Sequence, residues 1–179
     1  MSEEIVPLPV GAVAHDFTLT DALSGETYSL SSLAGRIVVL DFWSGECPWS
    51  RQYDDYFIER APKWAEQGII LLHIDSNANE TPADIDEMAE EIGISVPILH
   101  DAGNAVADAY GAVTTPQVFV IGADGRLAYR GAVDDRSFRQ REATVNYLDA
   151  ALAALLAGQM PDPAETQPYG CAIMRQYDD

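Results

Sequence analysis

Two nearly unbroken apolar runs dominate the chain, Ile37-Val38-Val39-Leu40-Asp41-Phe42-Trp43 and Ile69 to Asp75. Runs of this length, rich in β-branched residues and lacking polar alternation, predict strands covered on both faces, as in a parallel or mixed sheet. Shorter strands are predicted at Asp16–Leu19 and Tyr28–Leu30, with a turn at Ser24-Gly25 that suits a hairpin. Ser31 is placed to cap a brief helical turn ending at Gly35. From Pro48 to about Gln67 the spacing of Tyr53, Tyr56, Phe57 and Trp64 is helical, and Pro62 should kink or interrupt that helix near its end. Thr81-Pro82-Ala83-Asp84 reads as a capped helix start, continued by Ile85, Met88, Ala89 and Ile92 as far as Gly93.

Val96–Leu99 then reads as a short strand and Ala105–Tyr110 as a short helix ended by Gly111. Gln117–Ile121 and Leu127–Arg130 flank the turn Ala123-Asp124-Gly125-Arg126 and predict a second hairpin. Val145, Leu148, Leu152, Leu155 and Leu156 form the stripe of a final helix stopped at Gly158. The order of elements, without internal repeat, predicts one α/β domain over residues 1–158, helices packed on a mixed sheet, followed by a polar tail at 159–179.

Composition narrows the function classes. Ten Lys plus Arg against 29 Asp plus Glu in 179 residues gives a net charge of −19 and a pI near 4.2. Nucleic-acid binding needs clustered cations, and an anionic membrane surface attracts them, so neither partner is expected. No apolar stretch approaches the ~18 residues of a membrane span. Met1–Pro9 lacks the pattern of a signal peptide, so a cytoplasmic location is expected. His15, His73 and His100 stand singly, without metal-ligand spacing; no metal and no cofactor is expected, and His73 reads as a core histidine. Glu80, Asp84, Asp86, Glu87, Glu90 and Glu91 read as a solvated acidic face.

The candidate chemistry lies at Cys47. It follows the first buried strand directly and opens the next helix, where free N–H groups and the helix dipole favour a thiolate. Pro48 suits the first helical turn, Arg51 could add a cation, and Glu46 opposes thiolate formation. The thiol is therefore expected to be moderately acidified. Trp43 and Trp49 flank it and could shape an apolar docking rim.

Phe42-Trp43-Ser44-Gly45-Glu46-Cys47-Pro48-Trp49-Ser50 resembles the active-site loop of the thioredoxin superfamily. The likeness is to its redoxin branch, grouped with alkyl hydroperoxide reductase/thiol-specific antioxidant proteins and membrane-tethered thioredoxin-like reductases. Asp16-Phe17-Thr18-Leu19 with Tyr28-Ser29-Leu30 is similar to that family's N-terminal hairpin. Val113 to Ile121 looks like its cis-proline strand, and Asp124-Gly125-Arg126-Leu127 through Arg130-Gly131 like its closing hairpin. Thr166 to Ile173 resembles a tail of one redoxin subgroup.

The resemblance implies a thioredoxin-like fold and a thiol–disulfide oxidoreductase with Cys47 as nucleophile. It implies a cis Thr115–Pro116 bond facing Cys47, with Thr115 presenting its backbone to an extended substrate; Thr115, Pro116, Pro48 and Trp49 form the expected substrate-facing set. Family members keep a buried acid that helps proton transfer, and Asp41 is the candidate here. The expected partners are a protein or small-molecule disulfide, or a peroxide, and a reductant such as thioredoxin or glutathione.

One departure stands out. Ser50 replaces the second cysteine of Cys-x-x-Cys and cannot resolve a mixed disulfide, although it could donate a hydrogen bond to a thiolate. Resolution then falls to an external thiol or to Cys171. The 13 residues from Gly158 to Cys171 can reach roughly 43–47 Å, against a radius of gyration of about 16 Å. Cys171 as an idle tail thiol stays open, and so do two other functions. A peroxidase is one, although only Ser44, three residues before Cys47, matches the Pro-x-x-x-Thr/Ser-x-x-Cys pattern of peroxiredoxins. A non-catalytic binding module is the other.

Overall fold

The computed structural model describes residues 4–177. A seven-stranded mixed sheet forms its centre. The two apolar runs become β3 (Ile37–Phe42) and β4 (Ile69–Asp75), paired in parallel at the middle of the sheet. Burial on both faces explains their lack of alternation: β3 packs Val38, Leu40 and Phe42 into one core and Val39 into the other. β7 (Gln117–Ile121) runs antiparallel to β3, and β8 (Leu127–Gly131) closes that edge as a hairpin. At the other edge β5 (Ile98–His100) joins β4 in parallel, and the hairpin of β1 (Thr18–Asp21) and β2 (Thr27–Ser29) follows.

The helix expected from Pro48 is two helices, α1 (Pro48–Arg51) and α2 (Asp54–Glu66). The break falls at Gln52–Tyr53, where the chain tightens through a Tyr53 N–H bond to Ser50 O. Tyr53 turns inward there, its hydroxyl donating to buried Asp134. Pro62 does not end α2, because Phe57 and Trp64 anchor the helix to the core on either side of it. The Thr81 cap is realised as a reciprocal capping box with Asp84 at the start of α3 (Pro82–Ile92). α4 (Ala105–Tyr110) and α5 (Tyr147–Leu156) complete the helices.

The segment after α5 is not a free arm. It crosses the β8 edge, where Arg130 N–H donates to Ala164 O and Thr166 N–H to Arg130 O. It then forms a second small sheet, β9 (Cys171–Ala172) antiparallel to β6 (Thr114–Thr115). Ile173 enters the main core, and Met174 and Gln176 are held by Asn77 and Asn104. No helix among the described residues is long and apolar enough to cross a membrane.

Candidate active site

β3 ends at Phe42, and the five residues that follow deliver Cys47 to the start of α1. Cys47 is the N-cap of that helix: the Ser50 N–H donates to its sulfur at 3.4 Å, and Pro48 fills the first helical position without wasting a donor. Cys47 Sγ also lies 3.4 Å from the Thr115 carbonyl oxygen, across a cis Thr115–Pro116 bond. Cys47, Thr115, Pro116 and Ser50 are all buried, whereas Pro48 is exposed and Trp49 half-buried.

Cys47 is bonded to Cys171, with 6.2 Å between their Cα atoms. Cys171 pairs with Thr115 in the β6–β9 ladder, so the edge expected to receive a substrate strand holds the chain's own Gly170-Cys171-Ala172. The approach is close. A Cβ on Gly170 would stand 1.9 Å from Thr115 O, so only glycine lets this segment lie on the cis-proline turn.

The Ser50 hydroxyl does not reach the sulfur; it accepts the Ser44 N–H at 3.1 Å, and only the Ser50 backbone touches Cys47. Arg51 is spent as well, its Nε on Asp54 at 2.9 Å and its Nη1 on Gly45 O at 3.1 Å. Asp54 also accepts the Trp43 indole N–H at 2.9 Å, which fixes the strand end and the first helices to one another. Ser44 donates to Glu80 instead of facing Cys47. Asp41 is fully buried and meets His73 Nδ1 at 2.8 Å, with burial pushing its carboxyl pKa up and His73 opposing.

Glu80 overturns the expectation of a solvated face. It is 2% exposed, accepting the Ser44 hydroxyl at 2.7 Å and the Gly45 N–H at 2.8 Å. Burial pushes its pKa up, while those two donors oppose the shift. Asp75 lies beside it at the end of β4; burial first, and the charge of Glu80 second, push Asp75 up to about 8. Each carboxyl thus opposes ionisation of the other in this buried pair, while Glu80 accepts hydrogen bonds from the active loop.

A sequence profile of the AhpC/TSA family matches residues 10–130, more than half of the chain. The chain belongs to the AhpC/TSA family. The thiol–disulfide oxidoreductase ResA of Geobacillus thermodenitrificans is 32% identical over 124 residues, covering 69% of this chain and 70% of that protein. ResA of Geobacillus kaustophilus matches to the same extent. This redoxin is thus a thiol–disulfide oxidoreductase, and its fold is that of the thioredoxin domain of a Bacteroides vulgatus thiol–disulfide oxidoreductase, with a TM-score of 0.61 at 23% identity, covering 69% of this chain and 88% of that one.

Two solved structures extend the likeness beyond the family segment. A hypothetical protein from Sinorhizobium meliloti 1021 superposes with a TM-score of 0.87 at 29% identity, covering 97% of this chain and 98% of its own. An uncharacterized conserved protein from Geobacillus kaustophilus gives 0.84 at 28% identity, covering 96% and 94%. The fold they share with this redoxin spans nearly all of it, the segment after residue 130 included.

Proposed function

We propose that this redoxin works by a two-thiol cycle between Cys47 and Cys171, the tail cysteine replacing the resolving thiol that Ser50 cannot provide. In the reduced enzyme, Cys47 thiolate attacks one sulfur of a substrate disulfide, forming a mixed disulfide and releasing the other substrate sulfur as a thiolate. Cys171 thiolate then attacks Cys47 Sγ, closing the Cys47–Cys171 bond and releasing the second substrate thiolate. Two electrons pass from the protein dithiol to the substrate, and the same steps run backward when the poise of the partner demands it. The Ser50 N–H at the head of α1 offers the Cys47 thiolate a hydrogen bond when that sulfur is the leaving group.

The observation that carries this reading is the Cys47–Cys171 bond seated on β6. While the bond is closed the tail occupies the Thr115 edge. In this reading a protein or small-molecule disulfide therefore reaches Thr115 and Pro116, flanked by Pro48 and Trp49, only after reduction frees β9. The reductant is a thiol of the glutathione or thioredoxin kind, and in a reducing cytoplasm the bond would be a turnover state.

Intact mass and peptide mapping after mild oxidation at low protein concentration test the cycle. Loss of two hydrogens, mapped to a Cys47–Cys171 peptide within one chain, is the expected result. With Cys171→Ser, a mixed disulfide between Cys47 and substrate should accumulate. Cys47 found as a sulfenic acid or a glutathione adduct in the unaltered chain, with Cys171 free, would sink the reading.

A further inference from the structure

Resting on the two-thiol reading, we infer that the oxidised enzyme takes its reductant at an aromatic and arginine-lined pocket beside the disulfide, and that the reductant is a thiol carrying a carboxylate. Three rings mark the place. Trp49, two residues after Cys47, packs edge-to-face against Phe138 at 5.0 Å and Tyr169 at 5.6 Å; Tyr169, two residues before Cys171, packs on Phe138 at 4.9 Å. Phe138 remains 66% exposed despite these contacts. Beside the rings, Trp49, Gln52, Arg136, Ser137, Phe138 and Arg141 line a cavity of about 220 Å³.

Charge sets the class of occupant. The molecule carries −19 overall, yet three of its ten cations, Arg136, Arg139 and Arg141, fall within six residues of this loop, where they offset Asp134, Asp135 and Glu142 and leave the segment neutral. Arg136 is held in place, its Nε on Asp134 at 3.0 Å and its guanidinium over the Tyr53 ring at 5.0 Å. Arg139 and Arg141 make no ion pair among the described residues. The loop itself is built rather than slack: Asp135 accepts from Gln140, Thr144 and Val145, closing it at its base. Asp134 matches Arg136, so Arg141 is the unpaired cation lining this aromatic-walled recess, and a small thiol with an aliphatic body and an anionic end suits it.

The volume and the blocked Thr115 edge argue for a small thiol. With β9 paired to β6, a protein strand has no free backbone to add to there. The two cysteines also differ in exposure. Cys47 is 4% exposed, whereas Cys171 is only half-buried. The incoming thiolate attacks Cys171 Sγ, forming a mixed disulfide with the reductant, and Cys47 leaves as the thiolate that Ser50 N–H receives. A second molecule of the thiol attacks the reductant's sulfur in that mixed disulfide, so Cys171 leaves as a thiolate. Two thiols become one disulfide as the protein gains two electrons.

The test follows reduction of the oxidised full-length protein by 3-mercaptopropionate, 2-mercaptoethanol and cysteamine, each rate divided by that thiol's rate on bis(2-hydroxyethyl) disulfide. On a surface of charge −19 without the pocket, cysteamine should be fastest and mercaptopropionate slowest. The expected result is the reverse, mercaptopropionate leading mercaptoethanol roughly two- to fivefold at low salt, with the lead lost as sodium chloride rises. Arg141→Gln, at an exposed position, should lower the mercaptopropionate-to-mercaptoethanol ratio. A cysteamine-first order that Arg141→Gln leaves unchanged overturns the pocket while leaving the two-thiol cycle intact. Absence of a reducible Cys47–Cys171 bond overturns the cycle, and the pocket with it.

Discussion

Glu80 opens a run of acids through Glu91 whose helical spacing suggests solvent on every side, and Asp84, Asp86, Glu87, Glu90 and Glu91 keep that character. Glu80 differs because it precedes the Thr81 cap, in the connection that leads from β4 back across the active loop. Sequence spacing on α3 says nothing about a residue outside the helix, so its role could be read only from the loop it meets. Its two bonds hold Ser44 and Gly45, the residues that set the entry of Cys47 into α1. Glu80→Ala leaves the buried Gly45 N–H without an acceptor, a loss of about 1–3 kcal/mol. Glu80→Gln retains one carbonyl acceptor and should cost less. Urea midpoints near pH 5 separate the two variants, since Asp75 then holds its proton and contributes no compensating relief. Equal midpoints for both variants and the unaltered chain would show that the clamp carries no stability. Cys47 was the opposite case, legible at once because strand, cysteine, proline and helix are contiguous, whereas the spent hydroxyl of Ser50 depended on a partner at Ser44 that spacing cannot reveal.

Among the elements, the central strands and α3, α4 and α5 follow directly from apolar runs, caps and stopping glycines, whereas the break between α1 and α2 depends on Tyr53 turning inward to Asp134. β6 and β9 were not legible, because two-residue strands carry no periodicity and this pair joins segments more than fifty residues apart. The tail reads as polar and irregular, yet Ile173 is its one deeply buried anchor among residues 165–177 and Gly170 its one obligatory small residue. Gly170→Ala must push β9 off the Thr115 carbonyl, and overpacking of this kind costs about 1–3 kcal/mol. Only the docked, disulfide-bonded form carries that cost, so the Cys47–Cys171 bond becomes easier to reduce, by about 30 mV for each 1.4 kcal/mol. Equilibration with glutathione redox buffers, read by alkylation and mass, measures the shift. An unchanged potential would mean that the segment lies loosely on β6. Ile173→Ala acts at the same element through the core and should move the potential in the same direction without touching Thr115.

At the scale of the molecule, net charge was plain from composition, but not which acids are buried. Asp75 ends an apolar run and is fully enclosed, accepting the Asn77 N–H and side-chain amide on Oδ1 while Oδ2 has no partner among the described residues. Burial first, and the charge of Glu80 second, push its carboxyl up to about 8 in the folded protein, against 3.8 for the free side chain. Between those values the folded state binds a proton that the unfolded chain releases, so stability falls as pH rises and the contribution is lost as pH passes through about 8. The general repulsion of a −19 surface also grows with pH, but most surface carboxylates are already ionised by about pH 6, and salt screens them. The two sources are therefore separable. Melting temperature measured from about pH 5 to about pH 9, at low and high sodium chloride, should retain a downward slope in high salt that Asp75→Asn removes. Asparagine keeps the Oδ1 acceptor for Asn77 and needs no proton, so the variant should melt higher than the unaltered chain at the alkaline end and close to it at the acid end. The same slope in both proteins would assign the pH dependence to the surface and leave the buried pair without a part in it.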